Sequence, residues 1–140
     1  MPIDCHDLLD LARHLSASTN EATLRASISR GYYAAYYRCL EWERQLPKRG
    51  DDNGIHGVHA CLISRLQCPH RRCSPAQARQ SRAIGKQLRE QRDRRTFADY
   101  EVHLPLPRQF AAFQLQSIDG LFNRCKQSDR SDRSRRRKPR

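Results

Sequence analysis

Arginine and aspartate interrupt an apolar stripe in the second half of the chain. Ile84 and Leu88 begin the stripe at helical spacing. The next positions on the same helix face are Gln91, Arg92, Arg95, Ala98 and Asp99. Because a buried guanidinium is costly unless it is paired, this half of the face must open to solvent, pair with carboxylates or line a cleft for anions. Arginine suits a phosphate cleft, since its guanidinium is a planar fork of donors. A structural Arg95–Asp99 ion pair at i,i+4 is the alternative.

A second polar rim is predicted on an earlier helix that is rich in tyrosine. Its four tyrosines cover an arc of ~140° at 100° per residue: Tyr32, Tyr33, Tyr36 and Tyr37. Arg25 and Ser29 lie near the same edge as Tyr32 and Tyr36, so they could face the arginine cleft. A glycine in mid-helix, Gly31, costs ~1 kcal/mol relative to alanine and indicates close approach of a neighbouring helix or a ligand. Alternatively, the tyrosines of this helix form an aromatic core and part of a dimer interface instead of a polar rim.

Five amphipathic segments must position these residues. Helix starts are indicated by Asp4, by Asn20 and by Ser74 followed by Pro75. The pattern predicts helices over 5–16, 21–46, 55–66, 75–101 and 107–125. Short loops between such segments are typical of an all-α, antiparallel up-and-down bundle of four to five helices. At this size a dimer that shares apolar surface would help to complete the core.

The charge of the chain indicates a polyanionic partner. The 140 residues contain 27 Lys and Arg against 15 Asp and Glu, a formal net charge of +12. Residues 126–140 hold eight Lys/Arg, two Asp and no apolar side chain, so the sequence predicts a helical domain over 1–125 and a disordered basic tail over 126–140. Such a tail either binds phosphates without sequence specificity or is simply solvated.

Composition and the cysteines favour a cytoplasmic protein. No run approaches 18 apolar residues, and the first residues lack the basic and apolar regions of a secretory signal. Six cysteines without such a signal are expected to be thiols. A zinc site formed by Cys61, Cys68, His70 and Cys73 is conceivable, but the C-x4-C spacing is more typical of a loop, so we predict no metal and no cofactor.

Three segments resemble HEPN domains. Leu24-Arg25-Ala26-Ser27-Ile28-Ser29-Arg30-Gly31-Tyr32-Tyr33-Ala34-Ala35-Tyr36-Tyr37 resembles the second-helix signature of the family, and His56-Gly57-Val58 resembles the segment that follows it. Arg95-Thr96-Phe97-Ala98-Asp99-Tyr100 resembles the Arg-x-x-Ala-Asp-Tyr motif of the branch found beside minimal nucleotidyltransferases. The matches come in family order and cover about residues 5–122.

The resemblance implies a helical bundle that usually dimerises and, in many members, a metal-independent endoribonuclease or toxin. In the family an arginine holds the scissile phosphate, and a histidine separated from it by four to six residues moves protons. Here the first histidine after Arg95 is His103, with seven residues between them, and Asp99 stands where a histidine is expected.

The catalytic candidates are therefore Arg95, Asp99 and His103, while His56 or His59 could supply the imidazole from the third helix. The candidates for RNA or nucleotide binding are Arg25, Ser29, Tyr36, Arg92 and Tyr100.

Three functions stay open at this point. The first is an RNA-directed HEPN protein, either a ribonuclease or a toxin–antitoxin component. The second is a non-catalytic accessory module that binds a nucleotide or holds a separately encoded nucleotidyltransferase, with Tyr100 as a possible site of modification. The third is a general nucleic-acid binder that depends on the basic tail.

Overall fold

A computed structural model describes the backbone of residues 2–137 and the side chains of residues 2–128. Within these residues the regular structure is entirely helical, which confirms the predicted all-α bundle. The five helices are α1 Cys5–Ser16, α2 Glu21–Glu43, α3 Val58–Gln67, α4 Pro75–Tyr100 and α5 Phe110–Arg137.

The three predicted helix starts are confirmed. Asp4 accepts hydrogen bonds from the backbone of His6 and Asp7, and the Asp7 side chain accepts one in return. Asn20 accepts from the backbone N–H of Thr23. Ser74 and Gln77 form a second reciprocal cap at α4, with Pro75 at the first helical position. Each cap satisfies backbone donors that a helix start would otherwise leave unpaired.

Contacts between distant residues show that the four long helices alternate in direction. Ser27 donates to the Ala12 carbonyl, and Cys5 lies near Glu41, so α1 and α2 are antiparallel. The start of α2 meets the end of α4 through Arg25. Gln91 bonds Ser117 and Gln80 bonds Ser128, so α4 and α5 are antiparallel as well. The shorter α3 packs chiefly against α4.

The core is centred on α2, which packs against α1, α4 and α5. Residues at helical spacing on this helix are buried, with Tyr32, Ala35, Cys39 and Trp42 at 2% exposure or less. A smaller cluster forms around Ile28, Ala98 and Ala111.

Gly31 is the point of closest approach between α2 and its neighbours. A Cβ atom built there would lie 2.7 Å from Ile118 Cδ1 of α5 and 3.7 Å from Ala12 Cβ of α1. The glycine therefore serves helix packing, which is one of the two roles that the sequence allowed.

Four helix boundaries differ from the sequence prediction by three residues or more. Helix α2 ends at Glu43 instead of 46, because Pro47 has no N–H to continue the helical hydrogen bonds, and α5 begins at Phe110 instead of 107.

Helix α3 begins at Val58 instead of 55, because Gly57 immediately before it adopts φ +96°. Helix α5 continues past residue 125 to Arg137, and no glycine or proline interrupts the chain between Leu121 and that point. The predicted separate tail over 126–140 includes residues 138–140, which lie outside the described residues, and its independence stays a prediction.

Candidate functional site

Arg95 lies in a pocket of aromatic rings between α4 and α2. Its side chain is 15% exposed. Nη2 donates a hydrogen bond of 3.1 Å to the Tyr33 hydroxyl, and the guanidinium carbon lies 5.4 Å from the Tyr33 ring centroid. The same carbon is 5.9 Å from the centroid of Tyr32 and 5.6 Å from that of Tyr100. The rings fix the position of the cation without neutralising it.

Asp99 pairs with Arg95 one turn along α4. Arg95 Nε lies 2.9 Å from Asp99 Oδ2, but the Nε–H bond is not directed at an acceptor, so the contact is an ion pair and not an aligned hydrogen bond. The Ser29 hydroxyl donates to the same Oδ2 at 3.2 Å. Among the described side chains neither Arg95 Nη1 nor Asp99 Oδ1 has a hydrogen-bond partner, so each can contact a ligand.

His59 approaches the same tyrosines from the first turn of α3. Its Nδ1 lies 2.8 Å from the Tyr32 hydroxyl. Its ring centroid is 4.5 Å from that of Tyr36 and 5.7 Å from that of Tyr33. Tyr33 therefore contacts both the imidazole of His59 and the guanidinium of Arg95. We call Tyr32, Tyr33, Tyr36, His59, Arg92, Arg95 and Asp99 the Arg95 cluster.

The electrostatic environment of the Arg95 cluster is positive. Burial, and then the charges of Arg92 and Arg95, lower the pKa of His59 below its ordinary value of 6.5. Arg92 is partly buried and makes no hydrogen bond or ion pair with the part of the chain whose side chains are described. The guanidinium of Arg30 lies 5.3 Å from the Tyr33 ring centroid. Arg30, Arg92 and Arg95 thus lie near the tyrosines and His59, and only Arg95 is paired with a carboxylate, which is an arrangement suited to an anion.

Tyr36 and Tyr100 occupy the edges of the Arg95 cluster. Tyr36 packs edge-on against Tyr37, and burial raises its pKa. Tyr100 is 65% exposed beside the Arg95 guanidinium. Tyr36 is only 8% exposed and its ring packs against His59 and Tyr37, so it offers no free face to a ligand. The exposed Tyr100 ring is placed where a nucleotide base could stack.

Arg25 does not reach the cluster that its helix position suggested. It is 8% exposed and donates to the carbonyls of Ala98, Glu101 and Leu104 at the end of α4. Its other donors bind Glu21, which also accepts from the backbone of Leu106. Arg25 thus closes the C-terminus of α4, where unpaired carbonyls need donors.

His103 also lies apart from the other candidates. Helix α4 ends at Tyr100, and the His103 side chain is 70% exposed, 3.5 Å from Glu101. Among the described residues its contacts do not include a member of the Arg95 cluster. The imidazole brought to the arginines is therefore that of His59, which sequence reasoning named only as an alternative.

A buried polar network anchors the stretch of α4 that carries the arginines. Gln114 of α5 is fully buried; its Nε2 donates to the carbonyls of Ile28 and Gln91, and its Oε1 accepts from Arg94. Gln91, also fully buried, donates to Ser117. The amide nitrogen of Gln91 is thus hydrogen-bonded, while its buried Oε1 has no hydrogen-bond partner among the described residues. Gln114 was missed because glutamine gives no core signal in a hydropathy pattern.

No metal site is found within the described residues, where no three His, Cys, Asp or Glu side chains form a group that could hold an ion. The Cys61 thiol donates to the Ile55 carbonyl, and all six cysteines are free thiols. Nor is any helix in this part of the chain both long and apolar enough to cross a bilayer.

Comparisons with protein-family models, with curated proteins and with solved structures find no match to this chain. Within its described residues the protein is a bundle of five helices with an arginine- and tyrosine-lined site at α2, α3 and α4.

Proposed function

We propose that this chain is an RNA-directed, HEPN-like protein that cleaves RNA phosphodiester bonds without a metal ion at the Arg95 cluster. The observation that carries the proposal is that Tyr33 contacts both the Arg95 guanidinium and the His59 imidazole. A guanidinium and an imidazole at one site are the groups that phosphodiester transfer needs for charge stabilisation and hydrogen bonding.

The role of each residue follows from its free atoms. Arg92 and Arg95 bind the non-bridging oxygens of the scissile phosphate and stabilise the charge that develops there. Asp99 Oδ1 accepts the proton of the attacking 2′-hydroxyl, and His59 contacts the same phosphate. Tyr100 offers a ring face to a neighbouring base, whereas Tyr36 is buried beside His59 and supports that imidazole.

The chemistry is a transesterification. A bond forms between the 2′-oxygen and phosphorus, and the bond from phosphorus to the 5′-oxygen breaks. Asp99 takes the proton of the 2′-hydroxyl, water protonates the leaving 5′-oxygen, and Asp99 returns its proton to the solvent, so no proton is consumed. The products are a 2′,3′-cyclic phosphate and a 5′-hydroxyl end.

The test is cleavage of a single-stranded RNA by the purified full chain in EDTA. Arg95→Ala should lower the rate by about 100-fold or more, as the loss of one donor to a developing oxyanion does. Arg89→Ala removes the same charge from an exposed position of α4 and should leave the rate unchanged. Equal cleavage by wild type and Arg95→Ala would exclude the cluster as the catalytic site.

The second candidate is a non-catalytic module that binds a nucleotide at the same cluster or holds a separately encoded nucleotidyltransferase. It is favoured by the Arg95–Asp99 ion pair, which leaves Arg95 less charge to offer a transition state. Binding of a nucleotide or of a partner protein, with no cleavage by any variant, would support this candidate.

We further propose a cytoplasmic homodimer, acting as a toxin–antitoxin component if it cleaves RNA. The supporting observation is that apolar side chains next to the cluster are exposed: Tyr37 at 47%, Val58 at 66% and Tyr100 at 65%. Sedimentation equilibrium of wild type and Val58→Glu tests the dimer, since a charge in a dimer seam should shift the protein to monomer.

A further inference from the structure

The hydrogen bond between Tyr32 and His59 determines which nitrogen of the imidazole carries the proton. Tyr32 is fully buried at 0% exposure, and its hydroxyl has His59 Nδ1, at 2.8 Å, as its hydrogen-bond partner among the described residues. A neutral imidazole has one donor and one acceptor nitrogen, so the partner of Nδ1 decides which is which.

Two arrangements of the proton are possible, and they differ in what they leave unpaired. If Nδ1 carried the hydrogen, it would donate to the Tyr32 oxygen, and the buried O–H of Tyr32 would have no acceptor. If the Tyr32 O–H donates to Nδ1, every buried donor of the pair is used, and the imidazole hydrogen lies on Nε2. Because an unpaired buried donor is costly, the second arrangement is the stable one.

The surroundings of the pair favour the same arrangement. Burial raises the pKa of Tyr32, so its hydroxyl keeps its hydrogen. The Arg95 guanidinium next to the Tyr32 ring has only donors, and the contacts of the Asp99 carboxylate are with Ser29 and Arg95, not with the Tyr32 hydroxyl. Arg92 and Arg95 also oppose a second proton on His59.

We propose that Tyr32 is a positioning residue that holds neutral His59 as its Nε2–H tautomer, so that His59 donates a hydrogen bond to a phosphate oxygen instead of acting as the base. The ligand in this statement rests on the proposed function, whereas the tautomer does not. Asp99 is then left as the acceptor of the 2′-hydroxyl proton.

The tautomer can be read directly by long-range proton–nitrogen NMR of the ¹⁵N-labelled full chain at pH 8. His59 is assigned by its disappearance in His59→Asn. We expect a protonated, pyrrole-type signal at Nε2 and an unprotonated, pyridine-type signal at Nδ1. The reverse pattern, or the averaged pattern of a free histidine, would overturn the proposal.

Tyr32→Phe removes the hydroxyl and keeps the buried ring. We expect His59 to move towards a mixture of tautomers, while Tyr37→Phe, which alters a 47% exposed tyrosine on the same helix, leaves it unchanged. If Tyr32→Phe does not fold, the wild-type spectrum still decides the question.

The two proposals fail separately. If the protein does not cleave RNA but His59 is the Nε2–H tautomer, the proposed ribonuclease activity is wrong and the positioning role of Tyr32 is supported. If cleavage depends on Arg95 but His59 is the Nδ1–H tautomer, the ribonuclease activity is supported and the role proposed for Tyr32 is wrong.

Discussion

Arg95 donates a 3.1 Å hydrogen bond to the Tyr33 hydroxyl across 62 residues of sequence, which joins the last turns of α4 to the middle of α2. The same tyrosine ring packs 5.7 Å from His59 at the start of α3. Three helices therefore meet at one ring, and Arg95 is held by aromatic contacts as well as by its ion pair with Asp99. Its Nη1 has no partner among the described side chains, so a phosphate can still bind there.

Substitution by glutamine should lower the stability of the protein at Arg25 and weaken RNA binding at Arg92. Arg25→Gln removes charge-assisted hydrogen bonds to α4 carbonyls and should lower the free energy of unfolding by about 3 kcal/mol. Arg92→Gln breaks no hydrogen bond or ion pair within the described side chains, so it should leave stability nearly unchanged and weaken RNA binding.

Urea unfolding and RNA titration of both variants check this contrast. A stable Arg25→Gln protein with lost RNA binding would restore Arg25 to the binding residues and contradict the role given to it here.

The pKa of His59 should rise when a neighbouring arginine is removed. Burial, Arg92 and Arg95 hold it below 6.5, while the rings of Tyr33 and Tyr36 cover its faces. In Arg92→Gln the pKa should move back towards 6.5, and in the control Arg89→Gln it should stay where it is. An NMR titration of the His59 ring measures the pKa in both variants. An unchanged pKa in Arg92→Gln would show that Arg92 does not act on His59.

This lowered pKa also gives stability a pH dependence with a defined sign. Because the unfolded chain binds the proton more tightly, the His59 contribution to stability is complete above about pH 6.5. It is lost as the pH falls from 6.5 through the lower pKa of the folded state. The dependence should be weaker in His59→Asn, as measured by urea unfolding between pH 5 and 8.

Gly57 should be needed to place His59. Its φ of +96° lies in a region that favours glycine, and it is the residue that precedes α3. Gly57→Ala should cost about 1–2 kcal/mol of stability and shift the His59 ring resonances. Gly54→Ala, at φ +69° and with nothing within 4 Å of an added Cβ, should cost stability without moving those resonances.

Local structure was readable from the sequence because its signals are local. The caps at Asp4, Asn20 and Ser74 and the stripe of α2 depend on neighbours within a few residues. The start of α3 was placed three residues early, because the apolar pattern does not register the backbone conformation of Gly57.

The candidate site could be predicted only in part, because some of its contacts depend on how distant helices pack together. Ser29 was expected to face the arginine cleft, and its hydroxyl contacts Asp99 beside Arg95, since both residues lie on well-defined helix faces. Arg25 shares an edge with Ser29 on a helical projection, but the projection omits the end of α4, whose carbonyls take the Arg25 donors. His59 follows a 14-residue connection after α2, so its place beside the tyrosines depends on tertiary packing alone.

The basic end of the chain should add affinity for RNA but not the activity. Residues 129–140 carry seven Lys/Arg and two Asp, and their removal leaves Ser128, which accepts a hydrogen bond from Gln80. Deletion should weaken binding and flatten its dependence on salt, since fewer counterions are released. Fluorescence titrations between 50 and 200 mM salt measure the slope, and complete loss of binding would mean that the basic end is the main binding element.

The most direct test is to compare the two histidines in single-turnover cleavage of RNA in EDTA. His59→Asn should reduce the rate by about 100-fold, as expected for loss of a donor at a developing oxyanion, while His103→Asn should cleave like the wild type. Loss of cleavage in His103→Asn with normal cleavage in His59→Asn would contradict the assignment of the site to the Arg95 cluster.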